Sequence, residues 1–481
     1  MLTRRAALGG LAGVALAAAT PALPYAYPAS AALRREDAAL LIRAYRALHP
    51  GLRRYLTAAT LAATEARLLG EAESAETPAA LWLAATRFTA AVRCGHSYVN
   101  PYNQGKAMTA AVADRPDRLP FEFRWIAGQM VVTHVPEPLP VLQVGMLVAA
   151  IDGITTPDIL KSLLPLARAD GSNDAKRIAD LGVRSGTRYP DFDLLRTITA
   201  TSAASSATLD LRLPHGDRYS SQYRVVVPLA PPRHVATPGA GEARFTAAMH
   251  DAAMVLTMPT WAVYDSKWDW TAFIDATVDS AIAAKARTLV VDLRGNEGGL
   301  DCGDVLLARL IERPLAATPV ARRVRFRTTP ADLDPHLDTW DDSFRRIGVD
   351  AVDGGDGLLT LPPEATATIQ PRGERFAGSF VVLVDAACSS ATFHFAEQVR
   401  AARLGTIIGE PTGGNRRGIN GGAFFFVRLP HSRLEIDLPL IGYFPATPQP
   451  DAGLIPDIIA APTVASITAG TDPALALAVA R

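Results

Sequence analysis

The sequence predicts a layered α/β protein: a helical N-terminal region, a second region of short strands, and a C-terminal domain in which strands and helices alternate. Three observations predict it. From about residue 243 onward, apolar runs of strand length alternate with helix-length stretches, the pattern of a largely parallel sheet covered by helices. Before that, residues 33–110 are rich in Ala, Leu, Arg and Glu, with apolar residues at three-and-four spacing, which is helix periodicity. Finally, the 481 residues are 49% hydrophobic and 20% charged, enough apolar side chains for a full core. As a soft guide, that length accommodates about three domains.

The N-terminus reads "MLTRRAALGGLAGVALAAATPALPYAYPASAA". Arg4 and Arg5 precede an apolar run at 8–20 that is too short to span a bilayer, and Ala29-Ser30-Ala31 offers a cleavage site. Residues 1–31 therefore read as an export signal of the twin-arginine type, with an ordinary secretory signal as the alternative. Either signal makes the mature chain periplasmic or secreted, with no integral membrane segment after signal removal. "REDAALLIRAYRALHPGLRRYL" and "TPAALWLAATRFTAAVR" are helical in period, and Thr77-Pro78 is a helix start. They define a helical region at 32–112.

"LPFEFRWIAGQMVVTHV" switches to strand alternation. In "LQVGMLVAAIDGITTPDILKSLLPLA" a strand ends at Asp152-Gly153 and a Pro-led helix follows. "ATLDLRLPHGDRYSSQYRVVV" adds two strands around a His-Gly-Asp turn, closing a domain at 115–228. The Pro/Gly-rich 228–242 reads as a linker. In the last domain, 243–481, "AMVLTMPTW", "TLVVDLRGN", "SFVVLVDA" and "TIIGEPT" are strands, and "AFFFVRLP" with "RLEIDLPLI" forms a hairpin.

Three strand-end junctions in this domain carry small residues, where binding and catalytic groups concentrate. In "DLRGNEGG", Gly298 and Gly299 leave backbone amides bare, which suits an oxyanion hole. In "VDAACSSATFHFAEQVR", Ser389 or Ser390 either caps a helix or attacks as a nucleophile, and the amide of Ala391 points the same way as the helix dipole. "GEPTGGNRRGINGG" is a Gly-rich loop with Arg416 and Arg417.

Taken in order, "DLRGNEGG", "VDAACSSATFHFAEQV", "IIGEPTGG" and "GLIPDI" resemble the C-terminal-processing (tail-specific) protease family, which includes the tricorn protease core. "VGMLVAAIDG" resembles that family's PDZ-like segment, and "HPGLRRY" and "VRCGHSYV" its N-terminal region. The resemblance implies a ClpP/crotonase-like β/α spiral for the catalytic domain and places the nucleophile at Ser390. The tail-specific branch uses a lysine base where this chain has Asn415. Asn takes no proton near neutral pH, Arg416 and Arg417 stay charged, and no lysine follows Lys285. The tricorn branch uses a histidine, which falls at His96 in "CGHSYV". His394, one turn after Ser390, is the local rival, and a purely structural histidine is the other reading of His96. The supporting acid falls near Asp451, which otherwise caps a turn, with Glu410 as a second candidate.

The resemblance implies a serine peptidase acting on peptide or protein substrates without metal or organic cofactor, with Arg416 and Arg417 as candidate anchors for an acidic substrate group. A non-catalytic ligand- or peptide-binding protein on the same fold is the alternative. Zero formal net charge gives no pointer to nucleic acid. Three cysteines, Cys94, Cys302 and Cys388, make no disulfide framework or metal motif. Oligomeric state is not legible.

Overall fold

The computed structural model describes residues 27–481 apart from 29, 137–138, 201–203, 216–217, 237, 317–319 and 364–367. The paired arginines and apolar run of the expected export signal lie outside the described residues. The first helices are α1 (Ala31–Leu48), α2 (Ala58–Ser74) and α3 (Pro78–Ala91). Each opens on a hydroxyl: Ser30, Thr57 and Thr77 accept the amides of Ala32, Thr60 and Ala80. Pro78 sits in the first turn of α3, where its missing N–H costs nothing.

The second region is one antiparallel sheet in the order β1 (Glu122–Ile126), β2 (Gln129–His134), β3 (Leu147–Ile151), β4 (Ser206–His215) and β5 (Arg218–Pro228). Asp152 and Gly153 take φ of 51° and 81° at the turn that leaves β3. Helix α4 (Thr156–Leu163) follows, led by Pro157 as its spacing requires. Two further helices, α5 (Asp174–Asp180) and α6 (Asp191–Thr199), lie between α4 and β4. Their polar sequences gave no clear period, yet the segment that enters α5 builds one wall of the site.

The third region holds β6 (Thr246–His250), β7 (Ala253–Thr257), β8 (Thr288–Asp292), β9 (Ser379–Val384) and β10 (Thr406–Gly409) in one sheet, with Ile458–Ile459 beyond β10. All pair in parallel except the edge strand β6. β8 is buried at every position, as a Val-rich strand covered on both faces should be. Helices α7 (Trp270–Ala283), α8 (Cys302–Ala308) and α9 (Ala391–Ala401) cover one face. The helix Pro473–Val479 packs on the other.

The expected hairpin is present as β11 (Asn420–Arg428) against β12 (Glu435–Pro445). Its partners are unexpected. Phe425, Ile436, Leu438 and Leu440 join Leu41, Tyr45, Leu48 and Phe88 of the N-terminal helices in one hydrophobic core, while Phe245, Leu289, Val382 and Phe393 form another. The core therefore does not follow chain order, and the cavity described next lies where the two cores meet.

Candidate active site

β9 ends at Val384 and α9 begins at Ala391, so six residues carry the chain from a buried strand to a helix N-terminus. Ser390 is the last of them, at φ 55° and ψ −126°. A non-glycine residue pays on the order of 1–3 kcal/mol for such a backbone, a cost typical of functional turns. The two serines divide cleanly. Ser389 is buried, its hydroxyl turned to the carbonyl of Glu297 at 3.4 Å. Both border a cavity of about 1710 Å³, but Ser390 caps nothing with its side chain.

The loop after β8 lies alongside. Asn296 is fully buried and acts as a rivet: its Nδ2 donates to Met258 O at 2.8 Å, and its Oδ1 accepts the amides of Trp261 at 3.2 Å and Gly298 at 2.9 Å. The Gly298 amide is thereby committed inward. The amides of Gly299 and Ala391 have no acceptor among the described residues, so of the three amides expected at an oxyanion hole these two stay uncommitted. Gly298 serves by its missing side chain. A Cβ there would stand 2.8 Å from Ser390 Cβ and 2.9 Å from the Ala391 nitrogen.

His96 reaches the same cavity from the other core. Its turn follows α3 and is held by distant residues. His49 Nδ1 accepts the Gly51 amide at 3.1 Å, so its Nε2 carries the proton donated to Ser97 Oγ at 2.9 Å. Burial first, then Arg54, pushes the His49 pKa down to about 3, so it stays neutral. The Asp437 amide binds Tyr98 O at 3.0 Å. His96 packs its ring near Phe424, centroids 5.8 Å apart. Its Nδ1 is enclosed and without a hydrogen-bond partner among the described residues, which leaves Nε2 as the nitrogen on the cavity side. Burial lowers its pKa, Asp170 counters that, and Arg168 adds to it. A neutral imidazole is the form that accepts a proton.

A buried ionic bridge ties the two turns together. Arg168 Nη1 donates to Gly95 O at 3.1 Å, its Nη2 to Glu297 Oε2 at 3.2 Å, and its guanidinium lies over the Tyr98 ring. Lys176, on α5, also lines the cavity, with Asp180 at 2.9 Å and Glu297 at 3.6 Å. Burial disfavours its charge, but Asp180 and Glu297 outweigh burial and raise its pKa. It is a fixed cation rather than a base. Sequence reasoning passed over Arg168, Lys176, Glu297 and Asn296. Of these only Asn296 and Glu297 had a signal, standing inside "DLRGNEGG".

Of the remaining expected residues, all but His394 stand behind or outside the cavity wall. Asp451 accepts the Ser172 amide at 2.9 Å, the Ser172 hydroxyl at 2.8 Å and Asn415 Nδ2 at 2.7 Å, and is not among the cavity-lining residues. Glu410 pairs with Arg124 at 2.6 Å. Arg416 donates to Gln449 Oε1 at 2.8 Å and Arg417 lies over the Tyr55 ring, and neither lines the cavity. His394 does line it, with Glu397 at 3.6 Å. Asn415 is buried. All three cysteines are free and buried. Among the described residues no acidic, His and Cys cluster is arranged for a metal, and no helix is long and apolar enough to cross a membrane.

Residues 254–433 match the family model of peptidase family S41. That segment contains the Gly298–Gly299 loop and Ser390, and the tail-specific family named by its motifs is the family of this segment. No curated protein matches the sequence. Among solved structures, mature CPAF complexed with lactacystin is similar with a TM-score of 0.64 at 14% identity, covering 91% of this chain and 95% of that one. Mature CPAF alone gives 0.63 at 15%, covering 91% and 94%. The photosystem II D1 C-terminal processing protease gives 0.41 at 13%, covering 89% and 92%. The CPAF likeness extends the shared fold from the matched segment to nearly the whole chain.

Proposed function

We propose that this chain, whose catalytic segment is of peptidase family S41, is an exported serine peptidase of the Ser-His branch. Ser390 attacks the scissile carbonyl. His96 Nε2 takes the hydroxyl proton and later returns it to the leaving amine. The amides of Gly299 and Ala391 hold the oxyanion at the positive end of α9. No lysine takes part as a base, because Asn415 fills that position and Lys176 is held protonated.

One observation carries the reading. Both adjacent serines border the cavity that His96 lines, but Ser389 turns its hydroxyl to Glu297 O at 3.4 Å, while Ser390, on the strained backbone, has no side-chain hydrogen bond among the described residues. The test is labelling with a serine-directed fluorophosphonate beside hydrolysis of a quenched-fluorescent peptide. Wild type should label and cleave. Ser390→Ala should do neither, His96→Ala should lose at least about 10³-fold in turnover, and His394→Ala should stay near wild type. Equal labelling of wild type and Ser390→Ala overturns the assignment. Peptide binding without labelling or cleavage by wild type supports the binding-protein alternative instead.

The sheet of residues 115–228 is, in this reading, a PDZ-like module that takes an extended substrate onto an edge strand. β5 is an edge of that sheet, and Val226 on it is 68% exposed. Val226→Asp should raise KM for long protein substrates more than for a short chromogenic peptide. Equal effects on both would remove the recognition role.

A further inference from the structure

The geometry points to Asp170, rather than Asp451, as the carboxylate that positions His96 and balances its charge when it is protonated. This rests on the reading of Ser390 and His96 as nucleophile and base.

The need for such a group is visible at the ring. If Nε2 takes the serine proton, Nδ1 must carry its own, and an enclosed N–H without an acceptor is costly. His96 Nδ1 is enclosed and unpartnered among the described residues. Asp170 faces the same turn, one residue away. Its Oδ1 accepts the Gly95 amide at 3.0 Å, and a Cβ on Gly95 would lie 2.9 Å from its Oδ2. The carboxylate is thus pressed against the residue that precedes His96. Asp170 is only 2% exposed, it lines the cavity, and its Oδ2 has no hydrogen bond among the described residues.

The placement is fixed from several sides. Arg168 Nη1 binds Gly95 O, and the Gly171 amide binds Arg93 O at 3.0 Å, so residues 168–171 clasp residues 93–95. From behind, Asn415 Nδ2 bridges Asp170 O at 3.0 Å and Asp451 Oδ1 at 2.7 Å. Asp451 therefore braces the segment that carries Asp170. The charges facing His96 are Asp170 and Glu297, which favour the imidazolium, and Arg168 and Lys176, which oppose it. Glu297 is committed to Arg168 and Lys176, and Asp170 is the carboxylate that remains. Asp170 acts through His96 and is a positioning residue.

The experiment is the pH profile of kcat/KM and of fluorophosphonate labelling for wild type, Asp170→Asn, Asp451→Asn and Gly95→Ala. Asp170→Asn should lower kcat by about 10²–10⁴-fold. It should also move the acidic limb to lower pH, because a charge that favours the protonated ring is gone. Asp451→Asn should lose less than about tenfold and leave the limb in place. Gly95→Ala keeps every charge but displaces the carboxylate, and should shift the limb the same way; it decides the matter should Asp170→Asn not fold. An unmoved limb with kcat within about threefold in Asp170→Asn overturns the inference, as does the larger loss and shift appearing in Asp451→Asn. These outcomes are read only against a wild type that labels at Ser390. Failure of wild type to label sinks the peptidase reading itself, so the two failures are distinct.

Discussion

The turn at Ser390 and the turn at His96 are built in opposite ways. The first is made of neighbours. Cys388 Sγ contacts Leu293 O at 3.0 Å, Thr392 Oγ1 donates to Ser389 O at 2.8 Å, and Gly298 packs on Ser390 from the adjacent parallel strand. Its parts come from two consecutive strand-to-helix crossovers of one sheet. The second turn has one local bond, the Ser97 amide on Cys94 O at 3.2 Å, and is otherwise held from afar. Ser97 depends on His49, Gly95 on Asp170, and Tyr98 on Asp437, across separations of 48, 75 and 339 positions (97 − 49, 170 − 95, 437 − 98). The proposed nucleophile is a product of one supersecondary unit, whereas the proposed base is a product of the assembled chain. Activity should therefore be lost at the first turn by local sterics, and at the second by anything that loosens tertiary packing.

The largest effect expected from that contrast is at Gly298. Its φ is 95°, which strains any L side chain, and a methyl there meets Ser390 Cβ and the Ala391 nitrogen. Gly298→Ala should cost about 10²–10³-fold in kcat by disturbing the oxyanion donors. The His96 turn should remain intact, with its histidine titrating as in wild type by NMR. A Gly298→Ala enzyme with wild-type kcat would break the comparison at its local end.

Next in size is Ser97→Ala, which tests the other end. It leaves the buried His49 Nε2–H without its acceptor, at about 1–3 kcal/mol in stability. The slack it gives His96 should lower kcat by about tenfold, since small misplacements of a catalytic group are expensive. Denaturant unfolding and kcat should fall together here. In Gly298→Ala most of the loss should be in kcat.

The two turns also explain what the sequence disclosed. The strand periods, the β11–β12 hairpin and the small-residue junctions are local, and so the α/β class and the strand-to-helix turn at Ser390 were legible. Choosing Ser390 over Ser389, and reading His96 as a base, needed the family resemblance as well. The grip on His96 was not legible. Asp170, Arg168 and Lys176 lie in a polar stretch whose composition looks like an ordinary solvated surface, and only the tertiary fold brings them to the cavity. Asn415 could be seen to be no base. Its role as a bridge between Asp170 and Asp451 depends on a chain reversal that no spacing reveals. Gly298 showed in sequence as a bare amide, but Asn296 turns that amide inward, a side-chain bond invisible to pattern.

A third prediction uses pH on the tertiary end. His49 has a folded pKa of about 3 against an ordinary value near 6.5. As pH falls below 6.5, the unfolded chain takes up a proton that the folded chain refuses until about pH 3. This group therefore costs no stability above pH 6.5 and removes stability progressively below it, by at most about 1.4 kcal/mol per pH unit. Unfolding free energies at pH 7 and pH 5 should differ less in His49→Gln than in wild type. The same pH dependence in both would show that another group supplies it.

The smallest effects are expected at Arg416 and Arg417, which adjoin the Ser390 side of the molecule without lining the cavity. Arg416 is half exposed and shared between Gln449 and Glu397, the latter at 3.8 Å. Arg417 spends its guanidinium on the Tyr55 ring, and its amide on Asn415 Oδ1 at 2.9 Å. A substrate carboxylate would have to displace these partners, and an exposed charge pair gives back only about 0–1 kcal/mol. Arg416→Gln and Arg417→Gln should therefore change kcat/KM by less than about threefold, equally on a peptide acid and on its C-terminal amide. A loss confined to the acid would identify one of them as an anchor after all. It would place a specificity element in the loop that follows β10, among the local parts that surround Ser390, and would leave the His96 turn without any role in choosing the substrate's charge.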